Sequence, residues 1–325
     1  MGTAKPDVIF VLSVDTEEEW DWSTPFPQVQ PEVNNAQAIP AFQSFCDELG
    51  IRPTYFIDYA MADNEASAEV LRQVKAAHDC EFGAHLHPWC NPPLIERNGD
   101  FESHVVNLPI ALVEQKLDAL LKKLRETFET PIESFRTGRW GINAEVLNLL
   151  MEKGIKVDSS VYPFYKNEYF SCEGAPTTPY WPSLANPLQT SSQRVIAELP
   201  VSAGFNNRHF NFSNGAYQVI NHKRLQFMRL TGIAWQTGLL RKIYLSPELT
   251  TAGDMNMLID ALLKRQSRLI HMNLHSSSLL NLDYSNNPFN SEQIYSNMRR
   301  TLSYLEANAN VTFCTISDAA KRILN

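Results

Sequence analysis

Three short stretches of the sequence concentrate side chains that can move protons or bind metal ions: SVDTEEEW at 13–20, EFGAHLHPW at 81–89 and RLIHMNLHSSS at 268–278. Side chains alternate along an extended chain, so Ile9, Val11, Ser13 and Asp15 share one face, and Glu17 joins them if the chain stays extended. Two carboxylates then point together from the C-terminal end of a strand. The consecutive Glu17, Glu18 and Glu19 also fit a solvated acidic turn, so this motif alone does not decide. In the second stretch Gly83, His85 and His87 fall opposite Phe82, Ala84 and Leu86. An H-x-H pair in extended backbone presents two imidazoles to one ion, as nitrogen donors suited to zinc and other borderline metals. Cys90 is near enough in sequence to reach the same ion, although a buried thiol packing as a small apolar side chain accounts for it more simply.

The third stretch puts Leu269, His271, Asn273 and His275 on one face and Ile270, Met272 and Leu274 on the other. His275 closes the strand, where a βα barrel keeps its active-site mouth; His271 lies deeper, where a hydrogen-bonded core histidine is expected. A fourth stretch, SFRTGRWG at 134–141, turns Ser134 and Arg136 away from Phe135. A buried guanidinium is costly unless paired, so an inward Arg136 asks for a carboxylate. Asp15 is one candidate, and a purely structural salt bridge is the alternative. In VDSSVYP, Asp158 closes a strand and reads either as a helix cap or as a site residue. His78, His104, His209 and His222 have no comparable context.

Positioning these residues requires strands that end near one another. Strand-like runs occur at 7–15, 51–58, 80–86, 132–137, 155–160, 194–201, 268–275 and 310–316, with helical patterns between them. Such alternation is the signature of βα units and a parallel sheet. The clearest helix, 110–128, places Leu112, Val113, Leu117, Leu120, Leu121, Leu124 and Phe128 near one face. Asn143 and Ser291 read as N-caps and Gly154 as a helix stop. Residues 165–255 break the rhythm and are taken as an insertion on a single barrel domain spanning 1–325. No internal repeat is visible.

At 325 residues the chain can bury a large core, and its 44% hydrophobic and 20% charged residues are ordinary for a globular protein. A net charge of −8, with no dense Lys/Arg patch, argues against nucleic acid as a partner. The apolar run from Val8 to Val14 reads as a first strand, and nothing approaches the roughly 18 apolar residues of a membrane span, so a soluble, cytoplasmic protein is expected. Cys46, Cys80, Cys90, Cys172 and Cys314 are odd in number and lack a C-x-x-C pair, which favours free thiols. The oligomeric state is left open.

Taken in order, these motifs resemble the polysaccharide deacetylase family, the NodB-homology carbohydrate esterases, over residues 7–164, 194–201 and 268–320. The resemblance implies an α/β fold, an irregular (β/α) barrel of seven to eight parallel strands. It also implies a divalent metal ion, zinc or a first-row neighbour, and an N-acetylated carbohydrate substrate. By the same resemblance Asp15 is the base, Glu17, His85 and His87 are the metal ligands, Arg136 orients the base, His275 is the general acid and Asp158 belongs to the remaining acidic motif. Two spacings depart from the family: Asp15-Thr16 stands where adjacent aspartates are usual, and the histidines are two apart instead of four. D-x-E with H-x-H can still assemble a site, because Glu reaches farther than Asp and strand geometry aligns both pairs. Trp20, Trp22, Trp89 and Trp140 offer surfaces on which a sugar could stack. Two other functions remain open on this fold: a catalytically silent carbohydrate-binding or regulatory protein, and a hydrolase of small cyclic amides or imides.

Overall fold

The computed structural model describes residues 4–96, 98–282 and 288–324. In chain order the first half contains β1 (Asp7–Thr16), α1 (Ile39–Glu48), β2 (Thr54–Ile57), α2 (Tyr59–Asp63), α3 (Glu65–Ala77), β3 (Glu81–Leu86), α4 (Ile110–Phe128), β4 (Ser134–Thr137), α5 (Ala144–Glu152) and β5 (Val157–Asp158). It continues with β6 (Pro182–Ser183), β7 (Asn186–Thr190), β8 (Ala197–Glu198), β9 (Ala203–Phe205), α6 (Phe210–Ile220), α7 (Leu230–Gln236), β10 (Lys242–Tyr244), α8 (Ala252–Lys264), β11 (Leu269–His275), α9 (Ser291–Asn308), β12 (Asn310–Phe313) and α10 (Ile316–Leu324).

All eight strands expected from the sequence belong to one parallel sheet, in the order β11-β1-β2-β3-β4-β5-β8, with β12 joined to β1. The sheet curls into a barrel that is open between β8 and β11. Ser202 and Leu245 partly bridge that opening: the Ser202 amide donates to the His271 carbonyl at 2.9 Å, and the Asn273 amide to the Leu245 carbonyl at 3.2 Å. β5 and β8 are only two residues long, much shorter than the runs expected from the sequence.

The alternation read from the sequence separates two apolar layers. Val8, Phe10, Leu12, Val14, Phe82, Ala84, Leu86, Ile270, Met272 and Leu274 pack outward beneath the helices. Ile9, Val11, Phe56, Leu199 and Leu269 instead fill the barrel interior, where Ile316, Ala319 and Ala320 of α10 join them. Apolar side chains thus fill part of the interior, and the polar inward residues continue it along β1 and β11 to the C-terminal ends. Helix α4 matches its expected span, burying Val113, Leu117, Leu120, Leu121, Leu124 and Phe128.

Asn143 caps α5 by accepting from the Val146 amide at 2.9 Å, and Gly154, at φ +86°, follows that helix. The cap of α9 is Asn290, one residue earlier than expected. Its side chain and that of Gln293 satisfy each other's backbone amides, which makes Ser291 the first helical residue. The 165–255 segment contains the β6–β7 hairpin, the antiparallel β9–β10 pair with α6 and α7 between its strands, and the sheet strand β8.

Candidate active site

The sheet's register collects the chemistry. Asp15 pairs across to His275 of β11, and His85 of β3 to Arg136 of β4. These strand ends open into a cavity of about 420 Å³ whose wall includes Asp15, Glu17, His85, His87, Trp140 and His275. That volume lies in the range of small-molecule sites.

Three potential ligand atoms converge there. Glu17 Oε2 lies 3.1 Å from His85 Nε2 and 3.2 Å from His87 Nε2. The opposite ring nitrogens are already committed: His85 Nδ1 donates to the Arg136 carbonyl at 3.1 Å, and His87 Nδ1 to Glu18 at 2.9 Å. With hydrogens on Nδ1, each ring turns Nε2 toward the Glu17 carboxylate, and either a proton or a metal cation must lie between nitrogen and oxygen there. Burial works against charge on His87, but Glu18 and Glu17 outweigh it and raise its pKa well above the usual value. Burial likewise opposes ionisation of Glu17, yet His87, His275 and the hydrogen bonds from His85 and His87 hold its pKa well below the usual carboxylate range. The field that holds a proton on His87 would equally attract a divalent ion, so Glu17, His85 and His87 fit the metal-ligand reading.

Arg136 stands one layer behind the wall and is fully buried. Its Nη1 donates to Asp15 Oδ1 at 2.5 Å, its Nη2 to Ser13 Oγ at 2.8 Å and Ser159 Oγ at 3.0 Å, and its Nε to the Ser159 carbonyl at 3.0 Å. Its guanidinium carbon lies 4.5 Å from the centre of the Phe56 ring and 4.7 Å from that of Trp140. So completely paired, it is a cation held in place for Asp15. The other Asp15 oxygen lies 3.8 Å from His275 Nε2. His271, as expected, is a core histidine: its Nδ1 donates to the Pro200 carbonyl at 3.1 Å, its Nε2 lies 2.9 Å from Ser13 Oγ, and burial together with Arg136 keeps it neutral.

Three contributors escaped the sequence reading. Glu248, from the segment taken as an insertion, lies 2.7 Å from His275 Nδ1 and accepts from the His275 amide at 3.0 Å. Burial pulls the His275 pKa down, but Glu248, Glu17 and Asp15 push it up to about 10. Glu18, nominally on the wrong face, serves His87 because β1 ends at Thr16 and strict alternation ends with it. Behind it lies Asp58; burial and the Glu18 charge raise the Asp58 pKa well above the usual range, so Asp58 holds the proton between the two carboxyls. His104 also lines the cavity, with its Nδ1 donating to the Asp100 carbonyl and its Nε2 accepting from Asn167, a satisfied wall residue.

The supporting candidates divide. Trp89 is buried, stacks on His87 at 4.1 Å and donates its indole hydrogen to Glu18, so it steadies His87 and offers little face to a sugar. Trp140 is half-buried in the wall, and the adjoining Trp20 and exposed Trp22 reach the same cavity. Asp158 is fully buried apart from the cavity lining, hydrogen-bonded with Glu198 and accepting from Ser160 Oγ at 2.6 Å. All five cysteines are buried and free; Cys90 Sγ is 3.7 Å from Asp58 Oδ2, with its thiol pKa raised by burial and by Glu18 and Asp58. Gly138 lies tight against the site: a Cβ there would strike the His87 ring and the Leu86 carbonyl.

No protein-family model matches the chain, and no curated protein does. Solved structures do. One is a protein from Mycobacterium smegmatis provisionally described as a polysaccharide deacetylase, with TM-score 0.56 and 14% identity over 100% of this chain and 92% of that one. The fold is that of a polysaccharide deacetylase. A provisionally assigned glycoside hydrolase/deacetylase from Parabacteroides distasonis superposes with TM-score 0.62 and 11% identity, over 98% of this chain and 71% of its own. A 4-alpha-glucanotransferase from Thermococcus litoralis shares the architecture with TM-score 0.51 and 10% identity, over 98% of this chain and 40% of its own. Likeness at these identities shows the fold alone, and the reaction must be argued from the site.

Proposed function

We propose that this chain is a metal-dependent hydrolase that removes the acetyl group from an N-acetylated sugar in a glycan or glycan precursor. The observation that carries the reading is the convergence of Glu17, His85 and His87 beside Asp15 and His275 in one cavity. Amide hydrolysis needs an activated water, a polarised carbonyl and a proton for the leaving amine. Glu17, His85 and His87 would hold a divalent ion, which when bound would supply Lewis acidity and a water of lowered pKa.

The protein's own groups do the rest. Asp15, oriented by Arg136, receives the water's proton through the oxygen that Arg136 leaves free. His275, kept cationic by Glu248, delivers a proton to the departing amine. Trp140, Trp20 and Trp22 supply faces against which a sugar ring can rest. Tyr165 and Asn167, from the 165–255 segment, line the cavity, and a wall built by that segment favours a short or terminal sugar over long polymer.

Elemental analysis followed by acetate release from N-acetylated oligosaccharides tests the proposal, with a cyclic imide as the rival substrate. The expected result is one divalent ion per chain and acetate release that falls on the order of 10²–10⁴-fold in Asp15→Asn and in His275→Ala. Turnover of the imide alone, or unchanged metal content in the His85→Ala, His87→Ala double variant, would overturn it.

A further inference from the structure

Between Glu198 and Glu248 the chain contains no acidic residue, yet it carries Arg208, Lys223, Arg224, Arg229, Arg241 and Lys242. In a protein of net charge −8 this stretch is a local cationic island, basic through the absence of acids and not through a dense run of cations. Arg208, Lys223, Arg224 and Arg229 are exposed and have no ion-pair partner among the described residues.

The same stretch leaves apolar surface uncovered. Phe212 is 80% exposed, Phe227 81% and Leu239 77%, and Val219, Met228, Ile233 and Trp235 are exposed as well. These seven are half of the fourteen exposed large apolar side chains among the described residues. Helix α7 buries none of its residues, and α6 buries only Phe210 and Ser213. On α6, Phe212 and Val219 are seven residues apart and so lie on one face. Exposed Phe and Trp side chains flanked by unpaired Lys and Arg are the composition of a segment that lies in a bilayer interface. No helix among the described residues is long and apolar enough to cross a membrane, so the apolar side chains are placed for partial insertion only.

We infer that residues 208–239, comprising α6, the Lys223–Met228 turn and α7 with their flanks, form a docking surface for an anionic phospholipid bilayer. The unpaired cations face the lipid phosphates, and Phe212, Phe227, Trp235 and Leu239 enter the acyl boundary. Charge complementarity selects this occupant: the same surface of a second copy would set cation against cation, and a neutral apolar partner would leave the four cations unanswered. The surface is separate from the candidate active site, since no residue from 206 to 241 lines the cavity. Lipid docking on this surface is independent of the reaction catalysed.

The test is co-sedimentation of the full chain with vesicles of phosphatidylcholine alone and of phosphatidylcholine containing phosphatidylglycerol. The intact protein should bind the anionic vesicles and leave the neutral ones. Each surface cation near an anionic bilayer contributes about a fivefold factor, so Lys223→Ala, Arg224→Ala, Arg229→Ala should weaken binding on the order of a hundredfold. Lys223→Arg, Arg224→Lys, Arg229→Lys should retain it, and Phe227→Ser with Leu239→Ser should weaken binding at unchanged charge. Thermal melting of each variant at the wild-type temperature establishes that the protein is folded. Equal partition onto both vesicle types, no binding to either, or concentration-dependent dimerisation abolished by Phe227→Ser would each overturn the inference.

Discussion

Glu248 grips His275 twice, 2.7 Å from the ring Nδ1 and 3.0 Å from the backbone amide. The pair fixes which nitrogen turns to the cavity: Nδ1–H is committed to the carboxylate, so Nε2 presents toward Asp15. With its pKa pushed up to about 10, His275 is cationic throughout the neutral range and loses its proton only on the alkaline side. A general acid of this kind gives activity that falls as pH rises. Glu248→Gln removes the charge that most favours the cation, so the alkaline limb of kcat/KM should move toward neutrality. A pH–rate profile checks this, and an unmoved limb in Glu248→Gln would separate His275 from the acid role.

Glu18 holds His87 through the ring nitrogen that faces away from Glu17. Losing such a partner typically weakens metal affinity 10–100-fold. Glu18→Gln is the apt change because Gln keeps an acceptor for His87 Nδ1 while discarding the charge. We expect zinc affinity, measured by competition with a chromogenic chelator, to fall about tenfold in Glu18→Gln and more in Glu18→Ala, with the fold intact. Wild-type affinity in both would place Glu18 outside the site.

Gly138 is required by space, whereas Gly154 is required by conformation. An alanine at 138 would push its methyl into the His87 ring, while at 154 the added carbon meets nothing but the residue sits at φ +86°. Gly138→Ala should therefore lower metal affinity and cost about 1–3 kcal/mol. Gly154→Ala should cost about 1–2 kcal/mol and leave metal affinity unchanged. Paired denaturation and metal titration of the two variants make the comparison; equal metal affinities would remove His87 packing as the reason for Gly138.

Where backbone period governs orientation, the sequence was sufficient. Strict alternation along β1, β3, β4 and β11 placed Asp15, His85, Arg136 and His275 on the inner face, and register then brought them together. Glu18 lay beyond that logic because the strand stops at Thr16 and the chain turns. Glu248 lay beyond it too, arriving from a segment whose period is weak because much of it is hairpin and loop. Trp89 read as a possible sugar platform because an indole's type does not disclose its burial; only packing against His87 and Glu18 does. For Asp158 the sequence leaves cap and site both open, and its partner, Glu198, comes from the short strand β8 beside it.

That Asp158–Glu198 pair sets a pH dependence of stability separate from the catalytic groups. Both carboxyls are fully buried in neighbouring strands, and burial together with the charge of Asp158 raises the Glu198 pKa well above its ordinary value. The folded protein thus holds a proton that the unfolded chain releases once pH exceeds the usual carboxylate range of about 4.3. Between the unfolded and folded values the native state binds more protons than the unfolded one, so stability falls as pH rises through this window. Glu198→Gln removes the titration while preserving the geometry: its carbonyl can still accept from the Val161 amide, now at 3.2 Å from Glu198 Oε1, and its amide can donate to Asp158. The variant should lose less stability than the wild type between pH 5 and pH 8 and should melt roughly 2–4 °C higher at pH 8. Calorimetry of both proteins across that range is the measurement. Parallel melting curves would mean that Glu198 is ionised in the folded state and that the pair is held by another counter-charge.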